Sequence, residues 1–170
     1  MKLTPRAAVV LLAVAGLLAG LALLGWAWWL EDGPNYSRIE EGLYLGGYVD
    51  RPPRGTRAVL NLCEREDPYE AEVSAWRPIT DAEPAPSVEW LREAVAFIEA
   101  NRAAGRTTYV HCRNGVSRSG MVVVAYLMRK NGWGRDEAVA FVGRRRPELR
   151  PNPAFMRLLL EWEKEVKRPG

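Results

Sequence analysis

The chain has 170 residues, 48% of them hydrophobic, enough for one domain and a short extension. Its formal charge is +3, but Lys2 and Arg6 sit in an N-terminal stretch without acids. Past residue 30 there are 22 basic against 21 acidic residues, which excludes the electrostatic footprint of a nucleic-acid-binding protein. Two cysteines, Cys63 and Cys112, and one histidine, His111, are too few for a disulfide framework or a structural zinc site, so neither a metal nor a cofactor is expected.

From Ala7 to Leu30 there are 24 consecutive uncharged residues, behind the basic flank 1–6. As a helix they would extend about 36 Å, enough for a bilayer core of about 30 Å with some tilt. Trp26, Trp28 and Trp29 gather at one end, where aromatic anchors sit at a membrane interface. A cleaved signal peptide would have a shorter apolar region and a small-residue exit, and WAWWLED offers none. The expectation is one transmembrane anchor, 7–30, in a single-pass membrane protein. Lys2 and Arg6 before the span, with Glu31 and Asp32 after it, favour a cytoplasmic N-terminus and a domain on the far side.

Residues 31–36 read as a short linker with a Gly-Pro break, and the folded domain is expected over 37–168. Short apolar stretches follow as strands: Ser37–Gly47, Ala58–Leu62, the region Trp76–Ile79, and Thr107–His111. Before the last of these, Val88, Leu91, Val95 and Ile98 recur at helical spacing, with Ser87 as N-cap and Gly105 beyond the end. After His111 the chain turns helical. MVVVAYLMRKN is apolar on nearly every side and reads as a buried helix, followed by helices over RDEAVAFVGRRR and PAFMRLLLEWEKEV. The fold class is α/β, a central sheet of about five mostly parallel strands flanked by helices.

The chemistry lies in HCRNGVSRSG, His111 to Gly120. Cys-x5-Arg alone is weak: in this composition roughly a quarter of shuffles would contain one. Requiring the only His before the Cys, a Gly three residues after it and a Ser after the Arg lowers the accidental rate to the order of 10⁻⁵. A loop from Arg113 through Asn114, Gly115, Val116 and Ser117 to Arg118, entering a helix, turns backbone N–H groups toward a phosphate dianion. Gly115 lets the loop curl tightly, and Arg118 can clamp two phosphate oxygens. The same positive field favours a thiolate at Cys112. His111 would fix the backbone around the Cys, and Ser119 can donate a hydrogen bond to the sulfur.

A departing alkoxide or phenoxide needs a proton, so a general acid must lie elsewhere. The first candidate is Asp81, in the Pro-flanked loop RPITDAEPAPS; Glu83 is second and Asp67, in EREDPYE, third.

From about Ser37 to Val166 the chain resembles the dual-specificity branch of the cysteine-based protein tyrosine phosphatases. The resemblance rests on EGLYLGG, PITD, HCRNGVSRSG, AYLM and RRRPELRPNPAFMRLL. It implies Cys112 as nucleophile, Arg118 as phosphate clamp, Asp81 as acid then base, and Ser119 as helper of thiolate departure. Asn152 and Phe155 match the family's PN-x-x-F element, read as structural. Asp81 lies 31 positions before Cys112, close to the family habit.

The function expected is hydrolysis of phosphotyrosine and phosphoserine/threonine in proteins through a cysteinyl-phosphate. A phospholipid phosphatase using the same mechanism is the alternative; the loop has Arg113 but none of the extra lysines frequent in lipid-specific relatives. A phosphate-binding module without activity and a rhodanese-like sulfurtransferase fit less well, since Cys112, Arg118, Asp81 and Ser119 occur together. Cys63 is either a packed core cysteine or, as in some relatives, a redox partner forming a disulfide with Cys112. The run Arg144–Arg146, with Arg150, reads as a solvated helix end suited to the dipole, with a phosphate-rich or membrane-surface contact as the alternative.

Overall fold

A computed structural model describes residues 35–167, together with Gly16 and Gly20. The apolar run Ala7–Leu30 otherwise lies outside the described residues, and among those described no helix is long and apolar enough to cross a membrane.

The stretch expected as one strand from Ser37 to Gly47 is a hairpin. β1 (Tyr36–Glu40) and β2 (Leu43–Gly46) pair antiparallel, with Tyr36 opposite Gly46. The turn uses Gly42 at φ +68°, a left-handed conformation that a side chain resists. β3 (Thr56–Asn61), β4 (Val73–Trp76) and β5 (Thr107–His111) complete a five-stranded sheet in the order β1-β2-β5-β3-β4. Every pairing except β1 with β2 is parallel. The mostly parallel sheet expected from the sequence is therefore present.

β4 lies earlier than the expected 76–79. Its alternating half-buried and exposed residues suit an edge strand, and Pro78, which has no N–H, cannot extend a regular ladder. Two backbone bonds continue past it, Arg77 N to Asn61 O at 2.9 Å and Ile79 N to Leu62 O at 3.3 Å. They lay the next loop along the end of β3.

Among the described residues four helices cover the sheet. α1 (Val88–Ala103) starts at Ser87, whose Oγ accepts from Trp90 N. α2 (Arg118–Asn131) is buried from Arg118 through Met128 and ends on Gly132 in the left-handed conformation. A helix apolar all round must be enclosed, and α2 packs against α1, β2, β5 and the two helices that follow, α3 (Arg135–Gly143) and α4 (Pro153–Val166). α4 begins with Pro153 after the N-cap Asn152 and buries Phe155, Leu158, Leu159 and Trp162 in the core.

β5 sits between two parallel neighbours, and Thr108–His111 are all buried. The chain therefore leaves β5 at the carboxyl end of the sheet, beside the N-terminus of the most buried helix. In open α/β sheets that crevice is where ligands bind.

Candidate active site

The six residues from Cys112 to Ser117 form the turn between β5 and α2. Cys112 is 2% exposed, and its Sγ accepts from Gly115 N at 3.3 Å and from the Ser119 hydroxyl at 3.3 Å. Burial pushes the thiol pKa up. The Ser119 hydroxyl and backbone, the Gly115 N–H and the charge of Arg118 outweigh it, so the net shift is downward, toward the thiolate. The Ser119 hydroxyl also lies 3.2 Å from Gly46 O, so its single proton can serve the carbonyl or the sulfur.

Gly115 has φ +68°, and a Cβ there would run into the backbone of Gly46 and Gly47. The glycine is thus required twice, for the turn itself and for the approach of the loop to the end of β2.

Arg118 opens α2 with its side chain 6% exposed. Its Nη1 donates to Glu64 Oε1 at 2.8 Å, to Ile79 O at 3.0 Å and, more weakly, to Leu62 O at 3.4 Å. Its Nε is buried without a hydrogen-bond partner among the described residues. One side of the guanidinium is held by protein, while the Nε donor is available. A buried unsatisfied donor is costly unless it serves a function.

Asp81 is exposed in the loop between β4 and α1. Its Oδ1 accepts from Ser117 Oγ at 2.6 Å and from Asn152 Nδ2 at 2.8 Å. A cavity of about 340 Å³ is lined by Asp81, Cys112, Asn114, Val116, Ser117, Arg118, Arg150 and Asn152. A thiol biased toward its anion, a clamped arginine with a spare donor and a carboxyl group thus share one opening.

Residues 53–165 match the family described as the dual specificity phosphatase catalytic domain. The chain belongs to that family. Dual specificity protein phosphatase 1 of Homo sapiens is 42% identical over 92 residues, 54% of this chain and 25% of that protein. Protein phosphatase Slingshot homolog 3 of Rattus norvegicus is 37% identical over 135 residues, 75% of this chain and 21% of that protein. The chain therefore spans about a quarter or less of the length of these curated relatives. Among solved structures, human DUSP28 superposes with a TM-score of 0.71 at 27% identity, covering 80% of this chain and 97% of that one. PTPMT1 in complex with PI(5)P gives 0.68 at 25% identity, covering 77% and 96%.

Within this dual specificity phosphatase domain the sequence-derived residues divide clearly. Cys112, Arg118, Asp81 and Ser119 converge, and Asn114, Val116 and Ser117 line the cavity they share. Arg113 is exposed, and its carbonyl accepts from Tyr48 N. Glu83 lies on the same loop as Asp81 but pairs with Arg157 of α4. Asp67 is drawn elsewhere. Its Oδ1 is 2.9 Å from Nε2 of the fully buried His111, without the alignment of a hydrogen bond. Burial pushes the imidazole pKa down, but Asp67 and Cys63 raise it more strongly, to about 9. His111 also stacks on Tyr109, with ring centroids 5.0 Å apart. Cys63 is a buried free thiol whose Sγ donates to Asn61 Oδ1 at 2.9 Å.

The reading of Arg144–Arg146 as a uniformly solvated run needs correction. Arg144 and Arg145 are exposed, but Arg146 is 4% exposed and clamps the Cys112–Ser117 loop from behind. Its Nε donates to Gly115 O at 2.5 Å and its Nη2 to Asn114 O at 3.2 Å and Asn35 Oδ1 at 2.9 Å. Nη1 reaches Ser37 Oγ at 3.4 Å. The reason is periodicity: Arg146 N bonds to Val142 O, continuing the helical path, so Arg146 follows Ala138 and Val142 on the buried face of α3. Arg150 is not merely surface either, since it lines the cavity.

Sequence reasoning also missed Glu64, the residue that orients Arg118, and assigned Asn152 a structural role only. Glu64 sits beside Cys63 at the carboxyl end of β3, adjacent to β5. Its position became informative only once β3 and β5 were known to be neighbours.

Proposed function

We propose that this domain hydrolyses phosphate monoesters of phosphotyrosine and phosphoserine/threonine in proteins through a cysteinyl-phosphate. The observation that carries the reading is the buried, unpartnered Nε of Arg118 beside a thiol whose pKa is lowered. With Nη1 held by Glu64 and the Ile79 carbonyl, the free edge of the guanidinium is aimed as a fork for two phosphate oxygens.

In the first step the Cys112 thiolate attacks phosphorus in line. The P–O bond to the leaving group breaks while Asp81 delivers a proton to the departing oxygen. The loop's N–H groups, the N-terminus of α2 and Arg118 hold the equatorial oxygens, where charge accumulates. In the second step water attacks phosphorus, the Asp81 carboxylate takes its proton, and the S–P bond breaks. Ser119 then turns its hydroxyl from Gly46 O toward the sulfur and eases departure of the thiolate. No step draws on a metal or cofactor.

The run Ala7–Leu30 would tether this domain to a membrane as a single-pass anchor, with the two N-terminal cations favouring a cytoplasmic N-terminus. That tether and the likeness to PTPMT1 in complex with PI(5)P support a second reading, a phospholipid monoester as substrate. The exposed rim residues Asp81, Asn114 and Arg150 suit an opening that admits more than one kind of ester.

Phosphopeptides and vesicles containing phosphoinositides or phosphatidylglycerophosphate, assayed with wild type, Cys112→Ser and Asp81→Ala, test both readings. Peptide turnover that vanishes in Cys112→Ser is the expected result. Lipid turnover far above peptide turnover would replace the first reading with the second, and wild-type activity in Cys112→Ser would overturn both.

A further inference from the structure

Asn152 uses the two ends of its amide for different purposes. Its Oδ1 accepts from Phe155 N at 2.9 Å, which caps α4. Since that oxygen is engaged as an acceptor, the amide's other end must be the donor, and Nδ2 reaches Asp81 Oδ1 at 2.8 Å. The backbone N–H of Asn152 donates to Ser117 Oγ at 3.1 Å, and that hydroxyl passes its one proton to the same Asp81 Oδ1 at 2.6 Å.

An exposed aspartate on a Pro-flanked loop would otherwise sample several rotamers. Here one oxygen is pinned by two donors, one from the phosphate loop and one from the cap of α4. No hydrogen bond among the described residues engages Oδ2. A second tie runs between the same two segments, from Glu83 on the loop to Arg157 one turn into α4. Both of those side chains are well exposed, so that pair adds little energy, but it docks the loop on the same helix.

We infer that Asn152 is a positioning residue for the acid step: its Nδ2 aims the Asp81 carboxyl at the leaving group and leaves Oδ2 to carry the proton. This rests on Asp81 as the general acid. Asn152 does not touch the reacting atoms; it acts through Asp81, and Ser117 provides the second anchor. A cap that also aims a catalytic group couples the start of α4 to the chemistry. The element read from sequence as structural then acquires a functional end.

The test must separate capping from aiming, and the chemistry of caps provides the means. Ser and Asp are N-caps about as good as Asn, so Asn152→Ser and Asn152→Asp should melt close to wild type. Asn152→Ser loses the reach to Asp81, and Asn152→Asp puts a carboxylate where the donor stood. Turnover would be measured on p-nitrophenyl phosphate, whose leaving group scarcely needs a proton, and on a phosphoserine peptide, whose alkoxide does. We expect kcat on the phosphoserine peptide to fall at least about tenfold more than on p-nitrophenyl phosphate. The loss should be greater for Asn152→Asp than for Asn152→Ser. Equal losses on both esters, or no selective loss in Asn152→Ser, would overturn the inference. Asp81→Asn measured in parallel separates the two levels. If it shows the selective loss while Asn152→Ser does not, only the positioning role falls. If Asp81→Asn itself shows none, the reading of Asp81 falls and takes this inference with it.

Discussion

Replacing Arg146 with Ala should damage this protein more than a mutation at either neighbouring arginine. Arg146 is buried and makes two short bonds, to Gly115 O and Asn35 Oδ1, and two longer ones, to Asn114 O and Ser37 Oγ. Hydrogen bonds to a charged donor are worth about 1.5–3 kcal/mol each, and the truncation would strand partners that no longer face water. Counting the two short bonds fully and the others as weak gives a loss of about 4 kcal/mol. For a domain of this size that corresponds to a fall in Tm of roughly 10–15 °C. Activity should fall as well, because the carbonyls released belong to the loop proposed to hold phosphate; a displacement near 1 Å there can cost about a hundredfold in rate. Thermal melting and kcat/KM on p-nitrophenyl phosphate measure the two effects. Arg146→Lys keeps the charge but not the fork, and should lie between wild type and Arg146→Ala on both. Arg145→Ala, on the exposed side, should resemble wild type. An Arg146→Ala protein that melts within about 2 °C of wild type would refute the assignment of Arg146 as the loop's clamp.

Three further outcomes follow from the site. Ser119→Ala removes a donor to Cys112 Sγ, so the pH profile of iodoacetamide alkylation should move to higher pH; an unchanged profile would mean that the other donors alone set the thiol. Glu64→Gln should raise KM for phosphate esters several-fold and weaken product inhibition by inorganic phosphate, since Arg118 loses the charge that holds its Nη1; unchanged KM and inhibition would count against that role. For Asp67→Asn the sign follows from His111, whose pKa is raised from 6.5 to about 9 by its neighbours. The stability it contributes is full below about pH 6.5 and is lost as pH climbs through 9. Free energies of unfolding from urea titrations should therefore differ between wild type and Asp67→Asn by at most roughly 3 kcal/mol at pH 6, since Cys63 supplies part of the shift, and converge near pH 10. A gap that is constant across this range would speak against the buried ion pair.

The order of helices, the buried character of α2 and the loop from Cys112 to Arg118 were legible because each depends on short-range pattern. A loop that must offer N–H groups, a glycine turn and an arginine within six residues writes its requirements into adjacent positions. Asp81 was legible in part: its loop is marked by prolines, but only proximity to Cys112 separates it from Glu83 and Asp67. The β1–β2 hairpin reads as one strand in the sequence because its turn is only Glu41–Gly42, and apolar residues resume at once. Glu64 and Asn152 were invisible as site residues, since their partners lie 54 and 71 positions away. Arg146 could have been found. Taken as a charge run it is one of three exposed cations; taken at a spacing of four it follows Ala138 and Val142 on a buried face.

The clamp of Arg146 reaches Asn35, which stands ahead of the first strand in the stretch taken from sequence as linker. Asn35 also accepts from Gly47 N through its carbonyl, at 2.8 Å. The boundary of the working enzyme is therefore upstream of the boundary of its regular secondary structure. A shortened chain intended for study in solution has to begin before Asn35. One begun at Ser37 would lose a partner of the very side chain that keeps the Cys112–Ser117 loop in shape, and its poor activity could be misread as dependence on the apolar segment.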